Sequence, residues 1–320
     1  MKSIVKSSFF SKLRPVEKFI LLIVGALVLL NTFMIIYKGK NVAYLDYSRI
    51  IIVAIVCFGA GFYYRLSQRS EQIATALTCT GLLVAFTAAL GMYNYLLLPL
   101  TIPTIDIYIT EIDAIFGYYW PSVMEFAAQY PTIVFIMKLA YGSTLFQIAV
   151  LVIILGFSGM YRDLDKLMIS LSITAVIAVC FWGLFPTLGA KSMYFNELSN
   201  DIWHAVNPPV NKEYALDLIR LAKFGPEIIT ASELRGMIAF PSYHAVLAFI
   251  AIYSARNIKY LNVFFLALNL LILPATFIHG GHHMMDLPGG FLVFLIGMWL
   301  TNRLYKKFEK QEAELQPQAA

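Results

Sequence analysis

Three of the chain's five histidines and one aspartate fall within residues 278–290, Ile-His-Gly-Gly-His-His-Met-Met-Asp-Leu-Pro-Gly-Gly. His282 and Asp286 are four residues apart, which on a helix places them on one face a turn apart. A carboxylate bonded to one imidazole nitrogen fixes the tautomer and leaves the other nitrogen as a lone-pair nucleophile. Gly280 and Gly281 beside it let a backbone approach a ligand closely. A second polar stretch, residues 236–245, contains Pro241-Ser242-Tyr243-His244. Proline is favoured in the first turn of a helix. The free N–H groups of such a turn, with the Ser242 hydroxyl, make an anion pocket, and His244 sits where it can protonate a leaving oxygen. Nucleophile, acid and anion cradle together are what transfer of a phosphoryl group from an ester requires. Arg220, Lys223 and Arg235, just upstream, are the basic residues available to neutralise phosphate oxygens.

These residues lie among long apolar runs. Of 320 residues, 59% are hydrophobic and 13% charged, against roughly 25% charged in a soluble protein. Several runs approach the ~20 residues that cross a bilayer. The chain is expected to be an all-α integral membrane protein. A net charge of +5 does not imply a nucleic-acid partner, because many Lys and Arg residues sit at span ends. Cys57, Cys79 and Cys180 are odd in number and lack ligand spacing, which excludes a disulfide framework and a zinc motif.

About eight transmembrane helices are expected, near residues 19–37, 50–64, 73–98, 132–157, 167–184, 240–255, 260–278 and 287–304. Residues 1–72 form a basic N-terminal segment with a two-span extension. Residues 73–307 form a six-span catalytic core with a polar loop at 185–239, and 308–320 a polar tail. Residues 99–131 hold four acidic residues and no Lys or Arg, and read as an amphipathic helix on the membrane surface with aromatics at headgroup depth. Residues 162–166 read as a charged turn, and Pro288-Gly289-Gly290 is expected to kink or delay the last helix. The bias of basic residues puts both termini inside and both polar motifs on the outer face, periplasmic or lumenal.

Pro241-Ser242-Tyr243-His244 and His282-His283-Met284-Met285-Asp286 resemble the second and third motifs, P-S-x-H and H-x3-D, of the type 2 phosphatidic acid phosphatase superfamily. The strong part of the resemblance covers residues 220–304. It implies a six-helix phosphatase-type core, a membrane lipid substrate, no metal or other cofactor, and a phosphohistidine intermediate. It implies His282 as nucleophile, Asp286 as its partner, His244 as general acid and Ser242 as a phosphate ligand. Arg220, Lys223, Tyr243 and Gly281 complete the candidate phosphate-binding set. The superfamily's third motif usually opens with Ser-Arg, where this chain has Ala275 and Thr276. Its first motif, K-x6-R-P, has no clean match, and Arg220 and then Lys223 are the nearest substitutes. The wording G-x3-F-P-S-x-H and G-G-H-x3-D is closer to the branch containing inositol phosphorylceramide synthase, which moves phospho-headgroups between lipids. A different class stays open: His279, His282, His283 and Asp286 are plausible metal ligands, as in a metallohydrolase or a metal transporter. A non-enzymatic lipid carrier is a third. His204 and His279 by themselves read as hydrogen-bonded structural residues, and Met284 and Met285 as packing.

Overall fold

The computed structural model describes residues 9–315. Lys2, Lys6 and the Gln/Ala-rich end of the tail lie outside the described residues. After a 3-10 turn, Phe9–Lys12, the order is α1 (Pro15–Lys38), β1 (Asn41–Val42), α2 (Tyr44–Leu66), α3 (Glu71–Leu96), α4 (Asp106–Ile115), α5 (Trp120–Ala128), α6 (Pro131–Gly142) and α7 (Thr144–Phe157). There follow α8 (Tyr161–Leu184), α9 (Ala190–Tyr194), α10 (Asn200–Val206), α11 (Lys212–Phe224), β2 (Ile228–Ile229), α12 (Tyr243–Ala255), α13 (Leu261–Gly280) and α14 (Asp286–Leu315). The protein is an all-α, multi-pass membrane protein. Six helices, α1, α2, α3, α8, α13 and α14, are long and apolar enough to cross a bilayer. α6 and α7 make a seventh span bent by 48°. The eighth expected span is α12, apolar but only 13 residues long.

In lipid there is little hydrophobic drive between helices, so close packing through small residues holds them. A Cβ on Gly81 of α3 would lie 2.6 Å from the Ala54 carbonyl of α2, and one on Gly156 of α7 would lie 2.6 Å from Ala76 of α3. Around these contacts Phe86, Leu151, Leu155, Leu164, Leu167, Met168, Val246 and Ile250 form the main core.

At one end of the bundle the charges pair with each other. Arg65 grips the fully buried Glu17 at 2.5 Å and Glu71 at 2.9 Å. Arg14 pairs with Asp165, and Arg256 with Asp163 at 2.9 Å. Residues 162–166 are therefore not a turn. They form the start of α8, with Asp163 in the first turn, where the helix dipole favours an anion. The chain reverses instead at Gly159, whose φ is +69°.

At the other end, residues 99–131 are two helices rather than one, broken around Gly117 (φ +73°). α5 buries an apolar face, Trp120, Pro121, Met124 and Ala127, but the buried face of α4 is largely acidic. Asp106, Ile109 and Asp113 line it, and Trp120 is fully buried rather than sitting among headgroups. The 185–239 segment folds back over this end. β2 pairs with β1 in parallel register, Asn41 with Ile228 and Val42 with Ile229. Ser232 donates from its N–H and its hydroxyl to Asp46 at 2.7 and 2.8 Å.

The Pro288-Gly289-Gly290 sequence does not delay the last helix. α14 begins at Asp286, so Pro288 falls in the first turn, where no N–H is needed. Gly289 and Gly290 let α12 approach: a Cβ on Gly289 would lie 2.5 Å from the Phe240 ring, and one on Gly290 2.6 Å from the Ser242 carbonyl. We predict that Gly290→Ala lowers the melting point in detergent, by an overpacking cost of about 1–3 kcal/mol. Gly25→Ala, a helical site with nothing within 4 Å of the new methyl, should leave it unchanged or raise it.

Candidate active site

α13 ends at Gly281, which takes the left-handed conformation (φ +63°) and caps the helix by donating to the Thr276 carbonyl. Five residues later α14 starts at Asp286. In the turn between them His282 Nδ1 lies 2.8 Å from Asp286 Oδ2, and the same oxygen accepts the His283 N–H at 2.9 Å. Both side chains are buried, with His282 3% and Asp286 0% exposed. The carboxylate holds the proton on Nδ1, which leaves the lone pair on Nε2. That nitrogen faces the Ser242 hydroxyl at 3.5 Å.

Ser242 is the N-cap of α12. Its Oγ accepts from Ala245 N at 3.4 Å, while its own N–H donates to the Asp286 carbonyl at 2.9 Å. Pro241 therefore precedes the helix instead of occupying its first turn, and the starts of α12 and α14 are stitched together. His244 sits in the first turn of α12, its ring centroid 6.4 Å from that of His282. Tyr141 of α6 stacks on the His244 ring at 4.3 Å and 19°, with its hydroxyl 3.5 Å from Nδ1. Gly280 leaves the space between: a Cβ there would lie 2.6 Å from His282 Cδ2 and 3.1 Å from both His282 Nε2 and the Tyr141 hydroxyl.

The cation nearest this cluster is Lys191 of α9. It is 4% exposed, donates from Nζ to the Gly280 carbonyl at 3.2 Å, and from its backbone N–H to the Gly281 carbonyl at 3.2 Å. Burial lowers its ammonium to about 8, against the pull of Asp286 and Asp106. Sequence reasoning passed over Lys191. The available signal was its isolation, since it is the only Lys or Arg in residues 167–211. Asp106 and Asp113, which contact His283, were passed over too, because charges on a surface helix are by default solvated. Tyr118, whose hydroxyl donates to the His282 carbonyl at 2.9 Å, and Tyr141 carried no signal beyond their aromatic character.

The structure thus brings together His282, Asp286, His244, Ser242 and Gly281. Tyr243 points away, donating to the Leu171 carbonyl at 3.2 Å. Arg220 lies on α11 in a 2.8 Å pair with Asp217, which also takes Arg235 at 2.6 Å. These three line a cavity of about 790 Å³ with Tyr95, Tyr214 and Gly236. Lys223 lies over the Phe224 ring. His279 Nε2 contacts the Val134 carbonyl at 2.9 Å, and His204 is exposed. Among the described residues no group of three or more His, Cys, Asp and Glu side chains is arranged to hold a metal ion. The arrangement offers an oriented imidazole nucleophile, a second imidazole 6.4 Å away, a helix N-terminus and a buried ammonium.

The family model described as PAP2 superfamily matches residues 107–300, more than half of the chain, from α4 into α14. No curated protein and no solved structure matches.

Gly280→Ala tests the site's geometry. The added methyl is compatible with the helix but displaces the His282 ring. A shift of about 1 Å costs on the order of 10²-fold in rate, so turnover should fall by that order while the protein stays folded. Steady-state rates and melting curves on the same preparation check both parts.

Proposed function

The chain belongs to the PAP2 superfamily, and from that membership we propose that it is an integral-membrane lipid phosphatase or phosphotransferase working through a phosphohistidine on His282. The observation that carries this reading is the 2.8 Å contact from Asp286 to His282 Nδ1, which leaves Nε2 directed at the N-terminus of α12. In the first step the Nε2 lone pair attacks phosphorus and the P–O ester bond breaks. The leaving oxygen takes a proton from His244. In the second step an acceptor O–H gives its proton back to His244 and its oxygen displaces His282 from phosphorus. Water as acceptor makes the enzyme a phosphatase. A lipid hydroxyl makes it a headgroup transferase, the outcome favoured by the resemblance to the inositol phosphorylceramide synthase branch.

Ser242 and the first N–H groups of α12 receive the phosphate oxygens, with Lys191 as the nearest cation. Arg220, Lys223 and Gly281 remain candidate phosphate-binding residues, while Tyr243 gives its hydroxyl to the Leu171 carbonyl. For Arg220 the support is its place on the wall of the 790 Å³ cavity. We further propose that both termini face the cytoplasm and the site faces outward. Supporting this, Arg14, Arg65 and Arg256 gather in the ion pairs at the end opposite the site.

Two experiments test the reading. Rapid quenching with a phosphorus-labelled lipid phosphate should trap label on the wild-type protein and on His244→Ala. Turnover in His244→Ala should be reduced about 10²–10⁴-fold, less for an aryl phosphate whose leaving group needs no proton. Label should vanish in His282→Ala, and its persistence there would move the nucleophile's role to another residue. Activity should survive excess chelator. Loss of turnover with removal of a stoichiometric metal would favour the metallohydrolase reading instead. For sidedness, a cysteine at Asn200 should react with an impermeant reagent on intact cells, and labelling only after permeabilisation would reverse the orientation.

A further inference from the structure

We propose that Asp106 and Asp113, two carboxylates on one face of surface helix α4, are positioning residues for the reaction. With His283 held between them, they lock the loop carrying the nucleophile to the loop that leads into Lys191 of α9. The reaction they serve rests on the reading above, while the cluster stands on its own geometry.

Asp106 and Asp113 are seven residues apart, two turns along the same buried face, and are 1% and 2% exposed. His283 is 1% exposed between them. Its Nδ1 lies 3.2 Å from Asp113 Oδ2, and its Nε2 lies 3.5 Å from Asp106 Oδ1, an ion-pair contact. A neutral imidazole carries one N–H, and only the imidazolium presents a donor to both carboxylates. Buried carboxylates are tolerated when paired and hydrogen-bonded, and both meet that condition through backbone on opposite sides of the site. Asp113 accepts Met284 N at 3.0 Å and Met285 N at 3.1 Å. It therefore sits at the positive threshold of α14, just before Asp286. Asp106 accepts Leu188 N at 2.9 Å and Gly189 N at 2.8 Å, immediately before Lys191. One short helix thus holds the residues that follow the nucleophile and the residues that precede the buried lysine. Neither loop has regular structure of its own to do so.

The groups facing this cluster are Asp286 from α14, Lys191 and Tyr194 from α9, Tyr118 from the α4–α5 link and His282 from the same loop. Burial works against the charge on His283, but the two aspartates outweigh it and raise its pKa to about 9. Asp106 is lowered: burial pushes it up, but His283 and the Leu188 and Gly189 N–H groups pull it further down. The raised His283 value sets the sign. The clamp contributes fully below the unfolded imidazole value, roughly 6.5, and is lost as pH rises through about 9.

The experiment uses the full-length protein in nanodiscs and compares wild type with Asp113→Asn and Asp106→Asn. In wild type the alkaline fall in kcat should begin no lower than the Lys191 titration near 8. In Asp113→Asn, His283 loses the nearer of its two ionic partners, and the fall should move toward the ordinary imidazole value, roughly 6.5. KM should stay within about threefold while kcat drops about tenfold or more, as expected when geometry rather than binding is lost. Asp113→Glu should recover part of kcat. Histidine-ring NMR gives a readout that needs no substrate: one histidine should stay protonated to about pH 9, and His283→Gln should remove that signal. If no substrate is turned over but this signal is present, the cluster stands and the phosphotransfer reading fails. A His283 that titrates at or below the ordinary value overturns the proposal. So does an Asp113→Asn that lowers kcat without moving its alkaline limb. Should Asp113→Asn not fold, the same comparison on Asp106→Asn decides.

Discussion

One oxygen atom, Asp286 Oδ2, accepts both the His282 ring and the His283 amide, at 2.8 and 2.9 Å. Much of the site depends on that choice. Because Asp286 is also the first residue of α14, its charge sits where unpaired helix N–H groups favour an anion. Its carbonyl takes the Ser242 N–H at 2.9 Å, so the same residue that orients the His282 ring also sets the height of α12. The close approach this demands is met by the two glycines that follow Pro288. A side chain at either would separate His282 from the helix end it faces.

Charge burial is handled differently at the two ends of the bundle. Opposite the site, buried acids meet oppositely charged side chains, as Glu17 meets Arg65 and Asp163 meets Arg256, while the buried Lys166 lies over the Tyr305 ring. Such pairs offset a desolvation cost of several kcal/mol per ion and leave nothing for a ligand. Within the bundle the solution is neutral, with Asn269 donating to Gln147 at 2.7 Å. At the site end, by contrast, Lys191 donates only to main-chain carbonyl and meets the anions at longer range. His282 Nε2 faces a hydroxyl rather than an ion. There a cation and an imidazole nitrogen are left without a close ionic contact.

The all-α membrane class was legible in composition, and most spans in their apolar runs. The pairing of His282 with Asp286 was legible because a four-residue spacing is a local property of the chain. The meeting of His244 with His282 followed from two motifs separated by a pair of spans. What the sequence concealed was long-range. Asp106 and Asp113 lie about 170 residues from His283, and their i, i+7 spacing matches a buried helix stripe whose usual occupants are apolar. Lys191 belongs to a five-residue helix, too short to leave a periodic signal. The start of α8 was misread because four charges in five residues look like a turn until their partners, Arg14 and Arg256, are known.

The β1–β2 pairing and the Asp46–Ser232 contacts join the turn between α1 and α2 to the wall of the 790 Å³ cavity, which includes Ile228, Thr230 and Ser232. α1 and α2 lie outside the region matched by the family model and expose long apolar faces, Leu22, Leu29, Phe33 and Ile36 on one and Ile51, Ile52, Ile55 and Val56 on the other. Helices of that kind answer a change in hydrocarbon thickness by tilting. Here a tilt cannot stay local, because the hairpin's end is hydrogen-bonded to the rim of the cavity. The β1–β2 pairs and the Asp46–Ser232 contacts are thus the bonds that would carry the load of a change in bilayer thickness.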